Sequence, residues 1–233
     1  MSPLLATRKL SRSFGGLKAV SEVDFMVMAG EVRAIIGPNG AGKTTFVSLI
    51  SGRLAPSAGS VFFEDEDITR LPAFKRVRRG IAYTFQITSI YVNLTVAENV
   101  ALAAHQPGAK TSLEYLDRVG LADRAGQIAG TLAYGHQRLL EVAMGLALHP
   151  KLLILDEPTQ GLSDKEIVNF IELVRTLSKS ATVLLIEHNM HVVMDLAHRI
   201  TVLDQGLILA EGTPGEIRAN RAVQSAYLGT ADA

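Results

Sequence analysis

Eight residues restrict the folds open to this chain more than any other stretch does. Gly37-Pro38-Asn39-Gly40-Ala41-Gly42-Lys43-Thr44 satisfies G-x-x-x-x-G-K-[ST] in full. A short apolar run, Glu31 to Ile36, precedes it, and Thr44 to Ser51 after it reads as a helix stopped near Gly52. Strand, glycine-rich loop and helix in that order suit a cradle for phosphate. Glycines let the backbone curl with its N–H groups facing phosphate oxygens. The helix beginning near Lys43 adds its positive end. Lys43 then reaches for the β- and γ-phosphates, and the Thr44 hydroxyl ligates Mg²⁺. The plainer reading, a Gly-Pro-Asn turn beside a surface lysine, leaves the flanking strand and helix unexplained.

A second group of residues fits the same chemistry. Leu152 to Leu155 is continuously apolar, as a strand buried on both faces should be, and it ends in Asp156-Glu157. Ligands of α/β sheets bind at such strand ends. Asp156 is the candidate to hold Mg²⁺, directly or through water, and Glu157 to orient or deprotonate an attacking water. Taken alone, the two acids read equally well as a solvated turn. The phosphate loop upstream favours the functional reading.

Around these groups the pattern is α/β. Leu4 to Leu10 and Ala19 to Met28 suit half-buried antiparallel strands, with a turn signal at Phe14-Gly15-Gly16. Ser60 to Phe63 and Ile81 to Phe85 read as further strands. From Thr95 to His149 the spacing turns helical, broken at Pro107-Gly108, with a loop from Gly126 to Tyr134 and an apolar helix from Gln137 to Leu148. This middle region is a candidate helical subdomain. Beyond Pro150, strands at Leu152 to Leu155 and Thr182 to Ile186 alternate with helices at Lys165 to Ser178 and Met190 to Ala197. A hairpin about Asp204-Gln205-Gly206 and two short helices follow. Such alternation implies a mostly parallel sheet.

Composition removes other classes. Among 233 residues, 23 basic and 23 acidic side chains give zero formal net charge, unlike a dedicated nucleic-acid binder. With no cysteine, thiol nucleophiles and Cys-type zinc sites are excluded. No uninterrupted apolar run reaches the length of a membrane span. Charge arrives at Arg8, too early for a secretory signal peptide, so none is expected. A role at a membrane therefore calls for other chains to hold the protein there.

Taken together, the motifs resemble those of the ATP-binding subunits of ABC transporters, in that family's order and over essentially the whole length. Gly37 to Thr45 corresponds to the family's Walker A, including a second threonine, Thr45, and Leu152 to Glu157 to its Walker B with the catalytic glutamate. Gln86, after Tyr83-Thr84-Phe85, falls at the Q-loop glutamine, which in the family touches Mg²⁺ and water and borders the membrane subunits. Leu132-Ala133-Tyr134-Gly135-His136-Gln137 falls at the LSGGQ signature and Gly161-Leu162-Ser163 in the D-loop. His188 is the switch histidine expected near the γ-phosphate, and Phe14 sits where an aromatic stacks on adenine.

The resemblance implies a single ABC ATPase domain over 1–233. Its P-loop, RecA-like, mostly parallel core with an N-terminal antiparallel β subdomain takes 1–86 and 150–233. The inserted helical subdomain with the signature takes 87–149. ATP and Mg²⁺ are the implied ligands. Two ATPase subunits, a homodimer or a heterodimer with a related ATPase, would sandwich two ATP molecules, each between one subunit's Gly37 to Thr45 and the other's Leu132 to Gln137. Ala133, Tyr134, Gly135, His136 and Gln137 would thus face the opposite subunit's ATP. Two permease subunits and, indirectly, a periplasmic or extracellular solute-binding protein are the implied partners, with no nucleic acid. The implied location is the cytoplasmic face of the cell membrane. Tyr134, Gly161-Leu162, Glu187-His188-Asn189-Met190 and the stretch from Gly212-Thr213-Pro214 to Tyr227-Leu228-Gly229 look like the branched-chain amino acid importer group. A lipid or glycolipid exporter motor and a soluble non-transport ABC ATPase are the alternatives.

Two departures carry weight. The signature serine is Ala133 and its glutamine is His136. The serine hydroxyl of the family bonds the opposite γ-phosphate, which alanine cannot do, so weaker ATP-driven closure is expected. Ser163 replaces the D-loop aspartate, and Asp164 reads as a helix-capping group. Smaller features have plainer readings. Lys75-Arg76-Val77-Arg78-Arg79 reads first as a solvated helix face, with lipid or permease contact as the alternative. His188 and His191 lack a third metal ligand nearby. Phe14 is either an adenine platform or a buried turn aromatic. The segment Ile87 to Asn93, with Ile90 and Tyr91, is either a contact for a membrane protein or core. Ile167, Phe170, Ile171 and Val174 form a core-facing stripe.

Overall fold

The computed structural model describes residues 2–84, 89–104 and 109–228. The chain forms two compact units, one of Met1–Arg79 with Leu184–Ala233 and one of Gly80–Val183.

The first unit opens with β1 (Leu5–Phe14) and β2 (Leu17–Val27), antiparallel from Leu5↔Val27 to Phe14↔Leu17. Register shifts along β1 let the strand continue to Phe14, beyond the Leu10 end expected from hydrophobicity alone. Leu5, Leu10, Val20, Val23, Phe25 and Val27 turn inward and are buried. Next come β3 (Val32–Ile36), all five residues buried, and α1 (Lys43–Ser51). β4 (Ala58–Phe63) and β5 (Glu66–Asp67) complete an antiparallel sheet of order β2-β1-β4-β5.

The basic cluster lies on α2 (Ala73–Arg78) and its C-cap Arg79, and the structure corrects the expectation of a solvated face at one residue, Arg76. Lys75, Arg78 and Arg79 are exposed, but Arg76 is 1% exposed. Its Nη1 donates to the carbonyls of Leu49 (2.9 Å) and Ile50 (2.6 Å), its Nε to Leu71 O (2.9 Å) and its Nη2 to Thr69 O (3.0 Å). The last carbonyls of α1 have no partner inside their own helix, and a forked guanidinium supplies donors in the needed number. Burial lowers the Arg76 pKa to about 10.

The second unit pairs β6 (Ile81–Tyr83) with β7 (Leu152–Asp156) in parallel, Ile81 opposite Leu152 and Tyr83 opposite Ile154. Between these strands lie α3 (Val96–Ala103), α4 (Ala109–Arg118) and α5 (Tyr134–Leu146). After β7 comes α6 (Asp164–Leu177), whose Phe170, Ile171 and Val174 are buried and whose Ile167 is half-buried. α5 starts three residues before Gln137, the expected start. Tyr134 and Gly135 are weak helix formers, and their packing against 161–162 outweighs that preference. Tyr91 and Val92 are exposed and so are not core, while Ile90 is half-buried. Phe85, Gln86, Ile87 and Thr88 lie outside the described residues.

The chain returns to the first unit along β8 (Thr182–Ile186), buried throughout. α7 (Met190–Leu196) follows, then β9 (Arg199–Asp204), parallel to β3 from Arg33↔Arg199 to Ile36↔Val202. β10 (Leu207–Gly212) pairs antiparallel with β9 as the hairpin expected about Gly206. α8 (Pro214–Ala219) and α9 (Arg221–Leu228) close the chain. Ala34, Ile36, Val193, Ile200, Val202 and Ile217 form a core under β3 and β9. Parallel strands flanked by helices, with an antiparallel β subdomain at the start, are the α/β fold the sequence implies. Among the described residues, no helix is long and apolar enough to cross a membrane.

Candidate functional site

The first unit carries the phosphate loop. β3 delivers the chain to Gly37, where a Cβ would stand 2.1 Å from the Leu203 carbonyl oxygen. Gly42, at φ 98°, is the N-cap of α1, and a Cβ there would lie 2.3 Å from Ala19 O. Only glycine meets both demands, conformational at Gly42 and steric at each. The turn between β9 and β10 braces the loop: Gly206 N–H donates to Ala41 O (3.0 Å), and Ser21 N–H to Gly206 O (2.8 Å). Lys43 is buried. Its Nζ donates to the carbonyls of Gly37 (2.7 Å) and Pro38 (2.9 Å), bending the side chain back over the loop. No side chain caps the start of α1, and a helix start of this kind suits an anion. Asn39, Gly40 and the Thr44 hydroxyl-bearing side chain face solvent, and Thr45 is half-buried.

Two other candidates lie in the same unit. Phe14 is 46% exposed at the end of β1, with the Arg12 guanidinium 4.7 Å from its ring centroid. It is not a buried turn aromatic, and its free face suits stacking. His188 is exposed just beyond β8. Buried Glu187 fixes this corner, its Oε2 accepting from the backbone N–H groups of His188 (2.7 Å) and Asn189 (2.9 Å). Asn189 in turn caps α7, its Oδ1 accepting from His191 N (3.1 Å).

The second unit carries the acidic pair and the signature segment. Asp156 ends β7 at 1% exposure, and its Oδ2 accepts from the Tyr83 hydroxyl at 2.5 Å. Nothing in the sequence marks Tyr83 beyond its place at the end of a strand, which the structure pairs in parallel with Ile154. Glu157 takes φ 50°, a left-handed conformation costly for a side chain with a Cβ. The strain turns the chain sharply off the strand, with Glu157 half-buried at the corner. Carboxylate and hydroxyl oxygens such as those of Asp156 and Thr44 are the donor types a hard divalent cation takes.

Ala133 is the N-cap of α5 and has no side-chain oxygen to cap it. Tyr134, Gly135, His136 and Gln137 form the first helical turn. Gln137 Nε2 donates back to Leu132 O (3.0 Å), and His136 Nε2 lies 3.1 Å from Glu166 Oε1. Gly135 fits closely, since a Cβ there would meet Leu162 Cδ2 at 2.8 Å and Gly161 O at 2.9 Å. At the start of α6 the cap is Ser163 and not Asp164. Ser163 Oγ accepts from Glu166 N (3.4 Å), and Glu166 Oε2 accepts from Ser163 N (2.7 Å). Asp164 lies inside the first turn, where its charge complements the helix dipole. The Ser163 side chain, then its backbone, and lastly His136 hold the Glu166 carboxyl below the usual range. Gln86 lies outside the described residues.

Comparison with known proteins adds independent findings. Residues 20–160 match the family described as ABC transporter, and residues 208–233 the one described as branched-chain amino acid ATP-binding cassette transporter. The chain is 39% identical to the high-affinity branched-chain amino acid transport ATP-binding protein LivG of Escherichia coli (strain K12), over 98% of this chain and 99% of that one. It is 40% identical to the protein of the same description, BraF, of Pseudomonas aeruginosa, with the same coverage of 98% and 99%. The lipopolysaccharide export system ATP-binding protein LptB of Escherichia coli (strain K12) is 34% identical, over 97% of each chain. Among solved structures, a nucleotide-free ATP-binding cassette from an ABC transporter superposes with a TM-score of 0.90 at 28% identity, covering 97% of this chain and 99% of that one. The ADP conformation of MJ1267, an ATP-binding cassette of an ABC transporter, gives 0.89 at 28% identity, covering 98% of this chain and 100% of that one.

Proposed function

The chain belongs to the ATP-binding subunits of ABC transporters, and from that premise we propose how its residues divide the work. Nucleotide binding and hydrolysis coupled to transport follow from the family. The assignment of steps to residues is our reading. The backbone N–H groups of 37–45 and the Lys43 ammonium hold the β- and γ-phosphates, with Phe14 against the adenine. Lys43 neutralises charge that develops as the terminal phosphoryl group leaves. Glu157 accepts a proton from the attacking water, and His188 contacts the γ-phosphate. Thr44, Asp156 and Gln86 are the residues to hold Mg²⁺, which when bound would polarise the phosphoryl oxygens.

A second copy, or a related ATPase, brings its Ala133 to Gln137 segment to the same ATP. Binding closes such a dimer and hydrolysis reopens it. Two permease subunits at the cytoplasmic face of the membrane convert that motion into transport. We assign the motor to uptake of branched-chain or other hydrophobic amino acids, delivered by a separate solute-binding protein. The match of residues 208–233, outside the general ATPase match, is the observation that carries the solute class. The 34% identity to LptB supports a lipid-export motor as the second reading.

Affinity purification of the tagged chain from detergent-solubilised membranes of its host tests this. Two multi-span permeases, a related ATPase, and loss of labelled leucine uptake on deletion are expected. Recovery with lipid-export components would favour the second reading. Recovery only from the soluble fraction, alone or with ribosomes, would sink both.

A further inference from the structure

Within the second unit, one buried arginine joins three segments that the sequence keeps apart. Arg138, one turn into α5, is 2% exposed. Its Nη2 donates to the Tyr134 hydroxyl at 3.0 Å and to Gln160 Oε1 at 3.4 Å, and its guanidinium lies 5.3 Å from the Tyr134 ring centroid. Its Nη1 donates to Glu141 Oε2 at 3.4 Å. The other oxygen of that buried carboxylate, Glu141 Oε1, accepts from the backbone N–H of Ser89 at 2.6 Å. Ser89 is the first described residue after Gln86.

The Tyr134 ring also has a shaped seat. Gly161 adopts φ 81°, and a Cβ on it would come within 2.7 Å of Tyr134 Cδ1. A large residue in the signature segment thus faces the one residue type that leaves room for it. The fit depends on ring orientation, which the hydroxyl bond to Arg138 fixes.

We propose that Arg138 is a positioning residue that seats Tyr134 against Gly161 and, through Glu141, ties the signature segment to the backbone at Ser89. The three segments then move as one body. A displacement of 89 reaches the signature through three charge-assisted bonds, Ser89 to Glu141, Glu141 to Arg138 and Arg138 to Tyr134. The relay rests on the reading that the signature segment meets a second copy's ATP.

The test separates binding from closure. In a Glu157→Gln background, slowed hydrolysis leaves ATP intact. The ATP concentration at half-maximal dimerisation is measured by analytical ultracentrifugation, and the affinity of the monomer for a fluorescent ATP analogue by titration. Glu141→Gln and Arg138→Lys are expected to raise the dimerisation midpoint about tenfold, with monomer affinity held within about twofold. Tyr134→Phe, which keeps the ring and drops the hydroxyl, should raise the midpoint about threefold. Gly161→Ala should also raise it, and Tyr134→Gly should relieve that effect. A midpoint that stays at the parent value in Glu141→Gln and Tyr134→Phe overturns the relay, as does a parallel loss of monomer affinity. Those two variants decide the matter if Arg138→Lys does not fold. A Glu157→Gln parent that never dimerises with ATP overturns the two-subunit reading itself, and the relay with it.

Discussion

Ala133 is the residue where adding a hydroxyl tests two separate ideas. It is the N-cap of α5 and cannot cap, and in the proposed two-subunit arrangement it stands where a serine hydroxyl would bond the opposite ATP. Ala133→Ser should therefore act twice. A serine oxygen at the cap adds about 1 kcal/mol, which for a chain of this size raises the melting temperature by about 2–4 °C. The same hydroxyl should lower the ATP needed for dimerisation by about tenfold, the lower end of a hydrogen bond to a charged group. Calorimetry and sedimentation read the two effects independently; unchanged dimerisation would show that the hydroxyl never reaches a phosphate. At this scale the sequence revealed residues with a motif and missed those defined by a neighbour. Lys43 and Asp156 stand in recognisable runs. Tyr83, Arg138 and Glu141 owe their roles to partners 73, 22 and 52 residues away. Arg76 looked like one more surface cation because nothing local announces the carbonyls that it satisfies.

Helix starts are where elements of this chain are most strongly specified. Thr95 with Glu98, Ser163 with Glu166 and Thr213 with Glu216 each form a reciprocal capping box. Hydrogen bonds from Thr95, Ser163 and Thr213 hold all three carboxyls below the usual glutamate range. The sign follows from linkage. A carboxyl depressed in the folded state stabilises fully above its unfolded pKa, about 4.3, and loses that stabilisation as the pH falls through the lower folded value. Ser163→Ala should cost about 1 kcal/mol near neutrality. Urea melts should show that deficit shrinking once the pH drops below about 4. A deficit constant down to strongly acid pH would mean that Glu166 contributes nothing through its charge. Strand and helix identities were legible from periodicity. Their ends were not, because bulges extend β1 and tertiary packing starts α5 early.

For the molecule as a whole, fold and chemistry were legible because they share one cause. A phosphate loop works only between a buried strand and a helix, so eight residues reported both the architecture and the ligand class. The solute is another matter, since a motor need not touch what it moves. Chelation of Mg²⁺ should abolish ATP turnover while leaving measurable binding of the nucleotide to the isolated chain, checked by phosphate release beside fluorescence titration. Turnover that persists in excess chelator would remove Thr44 and Asp156 from the metal-binding assignment.

The bracing of the phosphate loop also sets a timetable for biosynthesis. The motif emerges early from the ribosome, yet its walls are among the last parts made: β3 pairs with β9, Gly37 closes against Leu203, and Ala41 is held by Gly206. A nascent chain already carrying every residue of the motif has no finished cradle until that late hairpin arrives. Nucleotide capture is therefore expected only once residues 199–206 have joined the loop, and a chain cut before them should bind no ATP.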